Sequence, residues 1–215
     1  MLPRLYAIVD DDVARAHGWT VPAVARACLD GGARLLQVRA KRASAAELLD
    51  LCERVAADAA AYGAILVVND RADIARLIPA AGVHVGQDDL PPALARDIVG
   101  PERVVGFSTH SAEQVSAALV PPISYLAVGP VFGTPTKETG YEAVGLELVR
   151  DAAAAAAVAA GGEVEGLTVV AIGGITLERA RSVIEAGAAS VAVISDLFAT
   201  GDPAGRVAEF IRTLG

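Results

Sequence analysis

Short apolar runs alternate along the chain with longer stretches of helical periodicity. The runs cover residues 5–9, 34–38, 65–68, 83–85, 104–107, 125–128, 168–172 and 191–194, and each ends in a polar residue or glycine. They are apolar without strict alternation, which reads as strands buried on both faces and hence as a parallel sheet. Between them, Ser44 precedes a helical pattern over 45–61 with Glu47 at capping-box spacing, Ser111 opens a helix to about 119, and Thr176 opens one to 186. Residues 143–160 read as the longest helix, ended by Gly161-Gly162, and the alanine tract at 152–157 is a strong helix former. Eight such strand–helix units over 215 residues predict an α/β fold, a (β/α)8 TIM barrel forming one domain over 1–215. An open doubly wound sheet is the alternative. No Gly-x-Gly-x-x-Gly follows the first run, which weakens a dinucleotide-binding reading.

Composition narrows the classes of function. Aromatic residues are only 4% of a chain that is 53% hydrophobic, so Ala, Val, Leu and Ile must fill the core. The net charge of −8 argues against a nucleic-acid partner, and an anionic substrate would need a local cationic pocket or a metal. The N-terminus lacks the layout of a secretion signal and no apolar run approaches a membrane span, so a cytoplasmic location is expected. Cys28 and Cys52 fall in helical segments without CxxC spacing and read as reduced structural thiols. The sequence is compatible with a homo-oligomer and does not decide it.

In barrels of this kind the chemistry lies at the C-terminal ends of the strands. Gly173-Gly174 after the seventh strand and Ser195 after the eighth fall where such barrels often bind phosphate, glycines letting backbone N–H groups approach the oxygens. Arg39, Lys41 and Lys137 add three cations at strand ends, which suggests a second and more highly charged group such as a diphosphate. Arg42 reads as surface. Asp70 and Asp89 end neighbouring strands. Carboxylates beside phosphates suit Mg2+, but Asp at a strand-to-helix turn is equally a helix cap, and spacing leaves both readings open. Asp88 reads as a cap or a neighbour of the pair. His84, inside a strand, reads as a hydrogen-bonded core residue, whereas His110 sits nearer the mouth and could serve as an acid or base. His17 suggests nothing.

Taken in order, Gln37-Val38-Arg39-Ala40-Lys41, Val68-Asn69-Asp70, His84-Val85-Gly86-Gln87-Asp88-Asp89, Gly106-Phe107-Ser108-Thr109-His110, Gly129-Pro130-Val131-Phe132, Thr134-Pro135-Thr136-Lys137, Ile172-Gly173-Gly174-Ile175 and Ile194-Ser195 resemble the strand ends of the thiamin phosphate synthase family over nearly the whole chain. The resemblance implies a transferase that condenses a hydroxymethylpyrimidine diphosphate with a thiazole phosphate and releases diphosphate with Mg2+. It implies that Gln37, Arg39, Lys41, Asn69, Ser108 and Lys137 contact the pyrimidine diphosphate, with Ser108, Lys137 and Arg39 acting on the reaction itself. It implies Asp70 and Asp89 as Mg2+ ligands, and Thr134, Thr136, Gly174, Ile194 and Ser195 as the thiazole-phosphate site. Ala40 stands where the family usually has Glu, at a position expected to face away from the pocket. The rival readings are a thiazole tautomerase on the same barrel, which would lean on His110 and need neither diphosphate nor metal, and a barrel that senses phosphate without turnover.

Overall fold

The computed structural model describes residues 2–79, 81–120, 122–133, 141–159 and 167–215. Eight strands, β1 (Leu5–Asp10), β2 (Leu35–Arg39), β3 (Ile65–Asn69), β4 (Gly82–Val85), β5 (Val105–Thr109), β6 (Tyr125–Val128), β7 (Thr168–Ile172) and β8 (Ser190–Val193), pair in parallel in chain order. β1 also pairs with β8, Leu5 opposite Val191 and Ala7 opposite Val193, so the sheet closes. That closure excludes the open doubly wound sheet. The strands are wrapped by α1 (Asp11–Ala16), α2 (Val21–Asp30), α3 (Ala45–Ala61), α4 (Ala72–Leu77), α5 (Pro92–Val99), α6 (Ala112–Ala118), α7 (Gly145–Ala159), α8 (Leu177–Glu185) and α9 (Pro203–Leu214), and a short 3-10 turn, Ser195–Phe198, follows β8.

Several helices form where periodicity and capping agree. In α3, Leu48, Cys52, Val55 and Ala59 form the buried stripe, and Ser44 and Glu47 close the expected capping box. The end expected for α7 lies beyond its last described residue. Among the described residues α3, at 17 residues, is longer than α7, at 15. α7 starts at Gly145, two residues after the expected start, and Gly161-Gly162 lie outside the described residues. Both cysteines are free and buried, and burial pushes each thiol up to about 12, which keeps them protonated and inert.

Successive side chains of a strand point to opposite faces, so each strand feeds two cores. Tyr6 and Ile8 of β1, Leu35 of β2, Val67 of β3, Tyr125 and Ala127 of β6 and Val170 of β7 pack together inside the barrel. Their sequence neighbours Ala7, Val9, Leu36, Val68, Leu126 and Ala171 pack outward, in the layer shared with the helices. Ala40 also lies in that outer layer, away from the barrel axis.

The interior holds two large aromatic residues, and a glycine makes room for one of them. Gly106 of β5 stands opposite Tyr125 of β6, and a Cβ at position 106 would fall within the Tyr125 ring. Tyr125 has nowhere to retreat, being fully buried with its ring edge-on to Tyr6 and stacked on His84. Gly106→Ala is therefore expected to destabilise the fold by about 1–3 kcal/mol through overpacking. Chemical denaturation of the two proteins checks it, and an unchanged midpoint would show that the ring can move aside.

Candidate active site

The parity that sends Tyr6, Leu35 and Val67 inward also sends Asp10, Gln37, Arg39 and Asn69 inward, nearer the C-terminal ends of the same strands. The Arg39 side chain is mostly buried and its Nη1 pairs with Asp10 Oδ2, directly across the β1–β2 register. Asp10 also accepts a bond from the Val13 N–H and so caps α1. One carboxylate thus sets both the first helix and the direction of the guanidinium. The remaining N–H groups of the fork are suited to a phosphate.

Beyond β3, Asp70 is the one non-glycine residue among those described with positive φ, at 63°. Asp tolerates this left-handed conformation better than most residues. Its carboxylate meets Lys41 Nζ at 3.2 Å and lies within hydrogen-bonding reach of Asp89. Burial, and then the Asp89 charge, push the Asp70 carboxyl above its ordinary value, with Lys41 pulling the other way. Asp89 is held by the Gly86 N–H, 2.8 Å from its Oδ2. The helix-cap reading of the pair does not hold. α4 is preceded by Arg71 and α5 by Pro91, and neither end has a side-chain cap. Asp88 is exposed and caps neither helix. Two apposed carboxylates with one half-exposed lysine are short of positive charge, and their hard oxygen donors fit a divalent cation. Among the described residues no group of three or more His, Cys, Asp or Glu is placed to hold a metal.

On the far side of the mouth the loop after β6 is laced to the loop after β7. Val131 N–H donates to Ile172 O at 2.8 Å and Phe132 N–H to Gly173 O at 3.0 Å. This close approach requires glycine at 173 and 174, whose φ values are +100° and +63° and whose added Cβ atoms would strike Pro130 and the Phe132–Gly133 backbone. Ile194 precedes the 3-10 turn that Ser195 begins. The turn is anchored from below, because Asp196 accepts from Arg206 Nε at 2.9 Å, from Arg206 Nη2 at 2.8 Å and from the Leu177 N–H at 3.3 Å. Thr134, Thr136 and Lys137 lie outside the described residues.

Between the two halves runs a chain of polar groups through the barrel interior. Gln37 Nε2 donates to the Tyr6 hydroxyl at 2.8 Å, and the Tyr6 and Tyr125 hydroxyls are 3.0 Å apart. The Tyr125 hydroxyl lies 2.9 Å from His84 Nδ1, and His84 Nε2 lies 2.8 Å from Ser108 Oγ. His84 is thus the hydrogen-bonded interior histidine expected from sequence. His110 contacts the Gly129 carbonyl through Nδ1 and stacks on Tyr141 at 3.9 Å. His17 ends α1 and stacks on Phe198. Arg42 is exposed and pairs with Asp12 at 3.4 Å, as a surface residue does.

Sequence reasoning missed Asp10, Tyr6, Tyr125 and the Asp196–Arg206 clamp. Asp10 and Tyr6 could have been found by carrying the inward parity of β1 to both ends of the strand. The clamp joins residues ten apart in sequence on different elements and left no local signal.

With this geometry in place, comparison with known proteins is specific. A family profile described as thiamine monophosphate synthase matches residues 5–197. A thiamine-phosphate synthase of Koribacter versatilis is 45% identical over 215 residues, covering 99% of this chain and 96% of its own length. One of Acidothermus cellulolyticus is 43% identical, with 98% and 94% coverage. The solved structure of a thiamine phosphate pyrophosphorylase from Pyrococcus furiosus superposes with a TM-score of 0.84 at 29% identity, covering 98% of this chain and 95% of that one. A 3-hexulose-6-phosphate synthase at 14% identity and a TM-score of 0.61 shares the barrel alone. This chain therefore belongs to the thiamine monophosphate synthase family.

Proposed function

We propose that this protein is a transferase that joins 4-amino-2-methyl-5-(diphosphomethyl)pyrimidine to 4-methyl-5-(2-phosphoethyl)thiazole, giving thiamin phosphate and diphosphate. The observation that carries the reading is the arrangement at one mouth of a family member: Arg39, Lys41, Asn69, Asp70, Asp89 and Ser108 on or just beyond four neighbouring strands, facing a glycine-rich loop pair and the Ser195 turn. An isomerase acting on a monophosphate would have no use for the apposed carboxylates beside the cations. Formation of thiamin phosphate from the two substrates and Mg2+ is the direct test, and its absence would return the tautomerase to consideration. A cytoplasmic location goes with this reading, supported by the two free, buried cysteines.

Asp70 and Asp89 would hold Mg2+, which when bound supplies charge to the diphosphate oxygens. Gln37, Arg39, Lys41, Asn69, Ser108 and Lys137 would take the pyrimidine diphosphate, and Thr134, Thr136, Gly174, Ile194 and Ser195 the thiazole phosphate. Arg39, aimed by Asp10, and Lys41, aimed by Asp70, would stabilise the charge that develops on the leaving group. No covalent nucleophile is needed. Both cysteines are buried in the helical layer, and the His84 ring beside Ser108 is oriented by the Tyr125 hydroxyl instead of the carboxylate of a triad. The route is dissociative. The C–O bond to diphosphate breaks with its electron pair leaving on oxygen, the aminopyrimidine carries the positive charge on its methylene, and the thiazole nitrogen lone pair forms the new C–N bond.

Three outcomes are expected. Chelation should abolish activity and Mg2+ restore it, and Asp89→Ala should lower kcat/KM about a hundredfold or more while a thermal melt shows it folded. Full activity of that variant in excess chelator would sink the assignment. Ser195→Asp should raise the KM for the thiazole substrate about tenfold or more, each ~1.4 kcal/mol of repulsion being a factor of ten, with the pyrimidine KM nearly unmoved. A change confined to the pyrimidine substrate would reverse the two subsites. In a series of pyrimidine substrates bearing electron-withdrawing groups, single-turnover rates should fall about tenfold for each ~1.4 kcal/mol of lost cation stability, and flat rates would favour direct displacement by the thiazole.

A further inference from the structure

The chain Gln37–Tyr6–Tyr125–His84–Ser108 has a direction, and the direction follows from counting protons. Each hydroxyl has one hydrogen to give. The Gln37 amide can only donate through Nε2, so Tyr6 accepts from it and gives its own proton to Tyr125. Tyr125 then gives its proton to His84 Nδ1. A nitrogen that accepts carries no hydrogen, so in the neutral ring the hydrogen is on Nε2, where it faces Ser108 Oγ. Running the chain the other way leaves a buried donor unmatched. With the Gln37 amide as it stands, Tyr6 would accept twice and its own proton would have no partner in a fully buried site. With the amide turned over, the Gln37 NH2 would be the orphan. The orientation observed leaves Gln37 Oε1 without a partner among the described residues, and an under-satisfied carbonyl is the less costly of the two.

We infer that His84, backed by Tyr125, Tyr6 and Gln37, is a positioning residue that makes Ser108 a hydrogen-bond donor to the bound pyrimidine diphosphate. A Ser108 oxygen that already accepts from His84 Nε2–H has its proton to give, so it serves an acceptor atom: a ring nitrogen or a diphosphate oxygen. It is not deprotonated by His84, which has no lone pair on the facing nitrogen. The tyrosines are suited to the task because burial holds both hydroxyls protonated, raising each well above its ordinary value. Gly106 belongs to the same device, since its missing side chain admits the Tyr125 ring between His84 and Tyr6. The inference rests on the proposed reaction, and its test separates the two.

The test has a spectroscopic and a kinetic arm. In wild-type protein labelled with 15N-histidine, the His84 ring is expected as the Nε2–H tautomer, assigned by loss of its signals in His84→Gln. Tyr125→Phe should leave a mixture of tautomers. Kinetically, Tyr125→Phe should lower kcat about tenfold, the scale of one misdirected hydrogen bond to the reacting substrate. The thiazole KM should not move. In a Ser108→Ala background the same change should cost less than about twofold, because its effect passes through Ser108. His84→Gln, which keeps an N–H near the Nε2 position, should retain more activity than His84→Phe. If Tyr125→Phe does not fold, Tyr6→Phe removes the next hydroxyl in line and carries the same expectations. An Nδ1–H tautomer in the wild type, or losses that add fully in the Ser108→Ala background, would overturn the inference. Failure of the wild type to make thiamin phosphate would instead count against the proposed reaction, and the tautomer would still decide the direction of the chain.

Discussion

Closing eight parallel strands into a barrel forces every second residue of each strand into a narrow, water-poor axis. An apolar residue there packs, and a polar one must find a partner within reach or lose the hydration it gave up. In this chain the lower interior is filled by Leu35, Val67 and Val170, with Ile8 beside them. Toward the mouth the same parity brings in Asp10, Gln37, Arg39, Asn69, His84 and Ser108. The site is therefore a continuation of the core, and the rule that packs one builds the other.

The consequence is that functional groups are held by one another. Arg39 is aimed by Asp10, Lys41 by Asp70, Ser108 by His84, and the Ser195 turn by Asp196 and Arg206. Such mutual bracing suits electrostatic catalysis, in which donors must already point where charge develops and need not reorganise during the reaction. The Asp70–Asp89 contact is the exception. There the fold holds two like charges together with one half-exposed lysine, an arrangement that raises the Asp70 carboxyl and is relieved by a cation. Asp70 adds a left-handed backbone conformation to this repulsion, the one such non-glycine residue among those described.

Low aromatic content shapes the interior as well. With small aliphatic residues filling the helix layer, the two tyrosines inside the barrel stand out as bulky fillers that carry a hydroxyl. The bulk of Tyr125 is accommodated by Gly106, and the two hydroxyls by Gln37 and His84. A Phe pair would fill similar space but would break the line of hydrogen bonds that reaches Ser108.

The sequence by itself determined the strands, their alternation with helices and the strand-end residues, because each is a local signal, whereas the β1–β8 pairing decided for the barrel over the open sheet. A strand buried on both faces needs an unbroken apolar run, a cap needs Ser44 with Glu47 three residues on, and a tight turn needs Gly173-Gly174. It also marked Asp70 and Asp89, but could not distinguish a cation site from a pair of caps, since both uses put Asp at a strand end. The tertiary structure removed the second of these readings. It turned Asp70 toward Asp89 and Lys41 and left the helix starts to Arg71 and Pro91. It likewise joined Tyr6 to Tyr125 across 119 residues, and Asp10 to Arg39 across 29. Such pairings depend on the register in which the closed barrel sets its strands side by side, and register is a property of the whole ring that no single segment encodes.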